Sequence, residues 1–480
     1  LDYAARRLKE IKAQHGANAN GIYFGNPTGH NVGGQLYIPA LTNQLGTQRS
    51  FSAGTMDQFP QNVALHTMLG EPWMFPIPDL ERTEFFVCMG GNPLVSQGSL
   101  MSGPNVKKRL GAIVQRGGRV VTIDPRRTET AEIASEHVFI RPGADAYFLL
   151  SVCQVLFAEG LVRPGRLAEF TDGIDRVREL ASRYSPERVA AATSIAPETT
   201  RRLVRDFCAA KGAWYGRIGL CTQEFGTLAS WLLDVAAILT GHFDEEGCMM
   251  FPRPAAGQSE PGEPNPPMAV GEYRTIARGL PTIDGQLPAG AMAEEIEEKS
   301  AGEQRMRVLL TAAANPVLSA PNGNRLAEAL GELDFMVSVD IYLNETTSHA
   351  DLILPTTVSV EEENFDFTYA TTCSHNYARW SPAIFDAAPG AKPHWEVLMR
   401  LVEAATGVTL EQLDEAMVGG IAASVARPGG RCEGRTPEEI KAAIGDVRGP
   451  LRILDLMLRA GPYGDRFEPG KQGLSLKALR

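Results

Sequence analysis

Aromatic residues, long hydrophobic runs and closely spaced cysteines are all scarce in this sequence. Phe, Trp and Tyr make up 7% of its 480 residues, which favours an Ala/Val/Leu-rich α/β protein over an all-β one. No apolar stretch reaches the roughly 18 residues that a membrane-spanning helix needs, so we expect no membrane span. The chain is too long for one ordinary hydrophobic core, and we expect two to four domains.

The seven cysteines are too scattered to form a metal site or a disulfide framework. They are Cys88, Cys153, Cys208, Cys221, Cys248, Cys373 and Cys432. No two are spaced as C-x-x-C and their number is odd, so we expect reduced thiols. The spacing also excludes a zinc ribbon or a ferredoxin-type iron–sulfur cluster within this stretch.

Positive charge is in deficit, because 46 Lys and Arg residues stand against 57 Asp and Glu residues, a net charge of −11. This balance argues against nonspecific binding to nucleic acid, and it means that local donors must hold any anionic ligand. The sequence has neither a G-x-G-x-x-G fingerprint nor a Walker loop. Their absence disfavours a nicotinamide dehydrogenase or an ordinary NTP-binding protein.

No signal peptide is visible in the sequence, which predicts a cytoplasmic location. The chain begins at Leu1 rather than at Met, and we interpret it as part of a longer protein. A signal peptide upstream of Leu1 would change the prediction to a periplasmic location.

The sequence does contain a four-part pattern, which first occurs in residues 85–143. A strand-like run, 85–89, leads into the loop Asn92-Pro93-Leu94-Val95-Ser96. A second strand-like run, 120–123, ends at Asp124 and is followed by Glu129-Thr130. A short apolar segment that closes at Pro142 completes the pattern.

The same pattern returns in residues 308–355. The run 308–311 leads into Asn315-Pro316-Val317-Leu318-Ser319. The run 336–339 ends at Asp340, is followed by Glu345-Thr346, and the copy closes at Pro355. Four elements in the same order predict two related α/β units, each with a parallel sheet and a similar ligand site.

The order of the elements predicts that one α/β unit is inserted in the other. A further strand, 21–24, ends at Asn26-Pro27, and we expect it in the sheet of the second copy. The predicted division is residues 1–50 for the first part of the second α/β unit, 51–300 for the first α/β unit with a Pro/Gly-rich excursion near 251–290, 301–400 for the rest of the second unit, and 401–480 for a helical C-terminal segment.

The Asn-Pro loops are candidates for phosphate binding at the carboxyl ends of the strands. Asn92 and Asn315 offer amide donors, Ser96 and Ser319 can cap the short helix that follows, and a helix N-terminus favours phosphate. The alternative is that Asn-Pro simply ends each strand.

Asp124 and Asp340 end the second strand of each copy, where a carboxylate commonly accepts hydrogen bonds from a ribose or a base edge. The alternative is that each Asp caps the helix that follows. Arg126 adds a basic side chain beside the first of these positions.

Five segments of the sequence carry specific motifs, which are Asn92-Pro93-Leu94-Val95-Ser96, residues 123–128, Arg141-Pro142-Gly143-Ala144-Asp145, Leu239-Thr240-Gly241-His242-Phe243 and residues 345–355. Together these segments resemble the molybdopterin oxidoreductases of the dimethyl-sulfoxide-reductase type, which include formate dehydrogenases and nitrate reductases. The resemblance spans nearly the whole chain and is specific to the family rather than to a substrate. It implies molybdenum bis(molybdopterin guanine dinucleotide), with one dinucleotide on each α/β unit.

The resemblance also implies a role for individual residues. Asn92 and Ser96 would hold the diphosphate of one dinucleotide, and Asp124, Arg126 and Asp145 would contact its ribose and guanine. Asn315, Ser319 and Asp340 would do the same for the other dinucleotide. Gly216, Arg217 and Gly219 resemble a further family loop near the cofactor.

The protein ligand of the metal is expected in residues 50–60, a segment that contains no cysteine. Asp57 is the candidate catalytic residue and metal ligand, because a carboxylate oxygen is a hard donor suited to a high-valent metal. Ser52 and Thr55 are the alternates, and the competing interpretation is that Asp57 caps the next helix. His66 is interpreted as a helix-surface or packing residue rather than a ligand.

The family usually carries an N-terminal 4Fe-4S module and a C-terminal β-rich domain, and we expect both to lie outside this stretch. The predicted function is that of a catalytic-subunit portion acting on a small-molecule substrate with an electron-transfer subunit as partner. Lack of a cysteine ligand argues against formate as the substrate. The alternative is a non-catalytic scaffold or electron-transfer subunit of a respiratory complex that has lost molybdenum.

Overall fold

A computed structural model describes residues 1–98, 100–257, 268–445 and 448–480. The chain divides into two compact units. The inserted unit comprises residues 57–253 and 369–376, and the outer unit comprises residues 1–56, 254–368 and 377–480. Residues 258–267 of the predicted excursion lie outside the described residues.

The inserted unit is built on a four-stranded parallel sheet. Its strands, in order across the sheet, are Glu136–Val138, Arg119–Ile123, Phe85–Met89 and Gly212–Gly216. A two-residue antiparallel pair joins Ile77–Pro78 to Met249–Met250. The helices are Phe59–Leu69, Pro93–Ser96, Val106–Gln115, Glu129–Ile133, Asp145–Ala158, Ile174–Ala181, Pro186–Thr193, Pro197–Cys208, Ile218–Cys221 and Gly226–Leu239.

The outer unit is built on a five-stranded parallel sheet. Its strands, in order across the sheet, are Leu352–Leu354, Phe335–Val339, Val308–Ala312, Asn20–Phe24 and Ser50–Ser52. Two small antiparallel pairs are Val270–Arg274 with Pro281–Ile283 and Asn364–Phe365 with Trp380–Ser381. The helices are Asp2–His15, Val32–Leu45, Met292–Ile296, Glu298–Ala301, Pro316–Ser319, Gly323–Leu330, His394–Thr406, Leu410–Ala426, Pro437–Ala443, Pro450–Ala460 and Leu476–Leu479. Two short helices, Gly54–Asp57 and Phe367–Ala370, cross the unit boundaries.

The two sheets repeat the same strand register, and the predicted α/β fold with parallel sheets is confirmed. Phe85 pairs with Arg119 as Val308 pairs with Phe335, and four further residue pairs follow in each case. The fourth strand, Gly212–Gly216, takes the place that Asn20–Phe24 takes in the outer sheet. That strand follows the first copy of the pattern in the chain but precedes the second copy.

The composition of the strands explains why the sheets form. The central strands Phe85–Met89 and Val308–Ala312 are buried at every residue, as expected for parallel strands with helices on both faces. The strand Asn20–Phe24 is buried throughout and pairs with Val308–Ala312, as expected for the second copy.

The predicted extent of the first unit, 51–300, needs correction at its C-terminal end. The structure ends the continuous part of the inserted unit at Arg253 and assigns the following residues to the outer unit. The reason is packing, because Met292 and Ile296 are fully buried in one hydrophobic cluster with Phe51. The preceding Pro/Gly-rich segment lacks a periodic spacing of apolar residues, so this contact could not be predicted from the sequence.

Proline and a change of backbone conformation divide two segments of the chain. The strand Gly212–Gly216 is followed by the helical turn Ile218–Cys221. In the C-terminal segment, Gly449-Pro450 separates the helices Pro437–Ala443 and Pro450–Ala460. The segment after residue 401 is otherwise helical, as predicted.

A buried polar cluster ties the C-terminal helices to the outer unit. The Tyr37 hydroxyl donates to Asp414, whose side chain is fully buried. Gly449 N also donates to Asp414 at 3.3 Å, and Arg452 lies 3.6 Å from its second oxygen. These contacts join three helices through one carboxylate.

In the described part of the chain, no helix combines the length and the apolarity that crossing a membrane requires.

Asp234 provides a test of how burial affects the stability of the inserted unit. The residue lies within Gly226–Leu239 with 4% of its surface exposed, and burial raises its pKa from 3.8 to about 7. Because the folded pKa exceeds the unfolded value, this group's contribution to stability falls as pH rises from 3.8 to about 7. We predict that Asp234→Asn raises the free energy of unfolding, with a gain that grows by about 2 kcal/mol between about pH 5.5 and about pH 8.5.

Urea-unfolding curves at the two pH values measure this gain. Asp172→Asn is the matched control, because Asp172 is exposed and its change should give no pH-dependent gain. A gain for Asp234→Asn that is the same at both pH values would contradict the assignment of the effect to a buried charge.

Candidate functional site

The inserted unit brings most of the predicted residues to the carboxyl-end edge of its sheet. Asn92 and Ser96 follow the strand Phe85–Met89, Asp124 and Arg126 follow Arg119–Ile123, and Gly216, Arg217 and Gly219 end or follow Gly212–Gly216. Asp145 begins the helix Asp145–Ala158. Parallel strands place these loops along a single edge, which we call the inserted edge.

The Asn92 side chain is held from two sides. Its Nδ2 donates to Glu129 Oε2 at 2.6 Å, and its Oδ1 accepts from Thr130 Oγ1 at 2.8 Å. Leu94 N donates to the same Thr130 hydroxyl at 3.2 Å. The loop is therefore fixed by the Glu-Thr pair of the neighbouring loop, a contact that the sequence pattern contained but that had no predicted role.

Asp124 and Asp145 form an acidic pair at the inserted edge. Burial raises the pKa of both carboxyls above the usual value, and the charge of Asp124 adds to the effect at Asp145. Asp124 accepts from Arg126 N at 2.8 Å, and Asp145 accepts from Gln223 Nε2 at 2.9 Å. Two partly desolvated acceptors thus lie close together beside a cationic side chain that is 63% exposed.

Arg217 is a buried cation whose hydrogen-bond acceptors are neutral. Only 6% of the residue is exposed. Within the described residues, its Nη1 donates to Gln58 Oε1 at 3.1 Å and to Gln61 Oε1 at 2.8 Å, while its Nε is buried without a partner. A buried guanidinium with an unused donor favours an anionic partner.

The backbone around Arg217 is closely packed against the neighbouring loop. Arg217 N donates to Met89 O at 3.1 Å, and Gly219 N donates to Gly90 O at 2.9 Å. A Cβ atom on Gly219 would lie 2.8 Å from the Cα of Gly90. The glycine therefore permits the two loops to meet at the edge of the sheet.

Asp57 is half-buried just before the helix Phe59–Leu69. Burial raises its pKa above the usual value, and the positive charge of Arg217 opposes the rise. The helix has Gln58 at its N-cap, with no capping hydrogen bond from that side chain, so Asp57 is not the cap of this helix. Sequence reasoning missed Gln58 and Gln61, since no motif marks them.

The alternates to Asp57 have structural partners in the outer unit. Ser52 Oγ donates to the Gln286 side chain and accepts from Gly54 N. Thr55 Oγ1 donates to Ser52 O at 2.9 Å and accepts from Ala289 N at 2.9 Å. Both hydroxyls therefore stabilise turns of their own unit. His66 lies within the helix Phe59–Leu69.

The outer unit forms an equivalent edge, which we call the outer edge. Asn315 and Ser319 follow the central strand, and Asp340 follows Phe335–Val339. Asp340 accepts from Tyr342 N at 2.9 Å, as Asp124 accepts from Arg126 N. Ser319 Oγ donates to Asn315 O at 2.9 Å, so this hydroxyl caps its own short helix.

The two edges share a backbone frame but differ in their exposed side chains. The equivalent turns place Tyr342 where the inserted edge has Arg126, and Leu343 where it has Arg127. Tyr342 and Leu343 are 68% and 78% exposed. The inserted edge is thus cationic at these positions, while the outer edge offers aromatic and aliphatic surface.

The third Asn-Pro loop, Asn26-Pro27, does not match the other two in position. It follows the strand Asn20–Phe24, which corresponds to Gly212–Gly216, so the loop is equivalent to the one that carries Arg217. Gly25 is required there, because a Cβ atom on it would lie 1.7 Å from Ala313 O.

The sequence model of the family described as Molybdopterin oxidoreductase matches residues 1–404. The chain therefore belongs to the molybdopterin oxidoreductase family, as the sequence motifs predicted.

The relatives of the chain are enzymes of this family. A nitrate reductase of Symbiobacterium thermophilum is 27% identical over 401 residues, which cover 76% of this chain and 50% of the relative. The F420-dependent formate dehydrogenase 2 subunit alpha of Methanococcus maripaludis is 26% identical over 420 residues, which cover 84% and 59%. The chain thus spans between 50% and 59% of the length of these two curated relatives.

A solved structure shows the same fold. Acetylene hydratase from Pelobacter acetylenicus matches with a TM-score of 0.67 and 17% sequence identity. The match covers 84% of this chain and 57% of that chain. At this identity the likeness concerns the fold alone.

The family implies a molybdenum or tungsten pterin cofactor, and the residues of the inserted edge fit such a group. The buried Nε of Arg217 is an unused cationic donor suited to the negative charge of the cofactor. Asp57 supplies a hard oxygen donor nearby. Among the described residues, no group of three or more His, Cys, Asp or Glu side chains comes together as a metal site.

Gly219 allows a test of the close approach between the two loops of the inserted edge. We predict that Gly219→Ala lowers the free energy of unfolding by about 2 kcal/mol, because the new methyl group must displace the Gly90 backbone. Thermal and urea unfolding measure the change.

Gly111→Ala is the matched control for this substitution. Gly111 lies in the helix Val106–Gln115, and its added Cβ would meet no heavy atom within 4 Å. Alanine should stabilise that helix by roughly 0.5–1 kcal/mol. Equal effects of the two substitutions would contradict the packing argument.

Proposed function

We propose that this chain is the portion of a molybdenum-dependent oxidoreductase catalytic subunit that binds two molybdopterin guanine dinucleotides. One dinucleotide binds at the inserted edge and the other at the outer edge. Asp57 is the protein ligand of the metal. The substrate is a small molecule, and an electron-transfer subunit is the partner.

The observation that carries the proposal is the buried Arg217 at the inserted edge. This guanidinium is 6% exposed and bonded to neutral amide oxygens, and its buried Nε has no partner among the described residues, which favours a further anionic partner. A cofactor with a diphosphate and anionic sulfur atoms supplies such charge. Asp57 is close enough for the Arg217 charge to affect its pKa, so both residues would face the same group.

The acidic pair supports recognition of guanine at the inserted edge. Guanine presents adjacent N–H donors on one edge of the base, and ionised carboxylates are strong acceptors for them. Asp124 and Asp145 offer these acceptors, with Arg126 beside them. At the outer edge Asp340 offers the equivalent carboxylate, and the exposed Tyr342 ring offers a surface for stacking on a base.

The cofactor, when bound, supplies oxygen-atom transfer or hydride and electron transfer. The chain's own residues position it and keep charges balanced. Asp57 contributes a carboxylate oxygen, Arg217 balances negative charge, and the Gln58 and Gln61 side chains hold the guanidinium in place. The lack of a cysteine in residues 50–60 supports a substrate other than formate.

Metal and nucleotide analysis tests the proposal. The protein is purified from cells that make the molybdenum cofactor, and its molybdenum, tungsten and acid-released GMP are measured. We predict two GMP per metal ion, since each edge would hold one guanine dinucleotide. Metal-edge X-ray absorption of Asp57→Ala should show one oxygen ligand fewer than in the unmodified protein.

Asp172→Ala, an exposed change in the same unit, controls for the handling of the variants and should leave the spectrum unaltered. Absence of GMP would refute dinucleotide binding and favour a scaffold that has lost the metal. One GMP per metal ion would refute the second site. An unchanged spectrum for Asp57→Ala would refute Asp57 as the ligand.

A further inference from the structure

The Asn-Pro loop and the Glu-Thr loop are joined by the same hydrogen bonds in both units. At the outer edge, Asn315 Nδ2 donates to Glu345 Oε2 at 2.7 Å, and Thr346 Oγ1 donates to Asn315 Oδ1 at 2.8 Å. Val317 N donates to Thr346 Oγ1 at 3.0 Å. The corresponding distances at the inserted edge are 2.6, 2.8 and 3.2 Å.

The sequence of donors fixes the orientation of each asparagine amide. The Thr130 hydroxyl accepts from Leu94 N, so its own hydrogen goes to Asn92 Oδ1. The amide nitrogen must then face the Glu129 carboxylate, which accepts one of its two hydrogens. One amide N–H of Asn92 is left for a ligand. The same reasoning applies to Asn315.

The burial of these groups separates this arrangement from ordinary packing. Thr130 and Thr346 are fully buried, while Glu129 and Glu345 are exposed at the carboxyl-end edges. Hydrogen bonds from Asn92 and Asn315 contribute to a lowered pKa of these two glutamates. An exposed hydrogen bond adds little to folding stability, but it does fix the direction of the amide.

We infer that Glu129–Thr130 and Glu345–Thr346 are positioning residues, which hold the remaining amide N–H of Asn92 and of Asn315 toward the diphosphate of a guanine dinucleotide. This inference rests on the proposed function. It assigns a task to two residue pairs that the sequence pattern contained without explaining.

Valine and serine substitutions of the two threonines test the inference. Thr130→Val and Thr346→Val keep the shape of the side chain but remove the hydroxyl, while Thr130→Ser and Thr346→Ser keep the hydroxyl. Thr122→Val is the matched control, because Thr122 is a buried threonine of the inserted sheet whose hydroxyl has no partner.

Titration calorimetry with GDP and with guanosine, each to millimolar concentration, provides the readout. We expect two GDP sites in the unmodified chain, each preferring GDP to guanosine. Thr130→Val should lower that preference about tenfold at one site and Thr346→Val at the other, since the diphosphate loses an oriented donor. Guanosine affinity should not change, and the serine variants and Thr122→Val should match the unmodified chain.

The outcomes distinguish the inference from the proposed function. Valine variants that keep the full preference for GDP, or that lose GDP and guanosine affinity equally, would show that the threonines act only in folding. An unmodified chain that binds no GDP would overturn the proposed function and this inference together.

Discussion

The central strand of each sheet imposes the constraint on which the rest of the structure depends. Phe85–Met89 and Val308–Ala312 are paired on both sides and buried at every residue. A polar side chain is tolerated there only when it is bonded, as Thr311 is to Ser338 at 2.7 Å. Groups that meet a ligand are therefore confined to the loops at the carboxyl ends, and every candidate contact follows from that confinement.

The local positive charge at the inserted edge comes from a buried arginine and is independent of the net charge of the chain. The protein carries −11 overall, yet Arg217 lies buried at the edge with neutral hydrogen-bond partners. Burying an ion is costly, and the half-buried Asp57 carboxylate opposes the charge of Arg217 while the Nε of Arg217 stays without a hydrogen-bond partner among the described residues. An anionic ligand bound at the edge would offset the remaining cost.

Local sequence patterns predicted the strands and the loops that follow them, whereas the side-chain contacts depend on residues that are distant in the sequence. The strands, the Asn-Pro loops and the second-strand aspartates were visible because each is a short run with its own signal. The pairing of Asn92 with Glu129 and the bonds from Arg217 to Gln58 join residues 37 and 159 positions apart. No periodicity marks such pairs, so the sequence supplied the residues without their roles. The predicted boundary of the unit beyond Arg253 was wrong for the same reason, because the buried residues of that segment pack on a strand that is distant in the sequence.

A comparison of the two edges separates the features that the two units share from those in which they differ. The strand register, the turn after each second-strand aspartate and the asparagine–glutamate–threonine contacts agree closely between the units. These features set the position of the backbone, so a change in one would displace every group at the edge. Arg126 and Tyr342 occupy equivalent turns but differ in charge. Their side chains are exposed, and the backbone conformation of the turn does not depend on either of them. Similar frames with different exposed groups can hold the same class of ligand in two distinct surroundings.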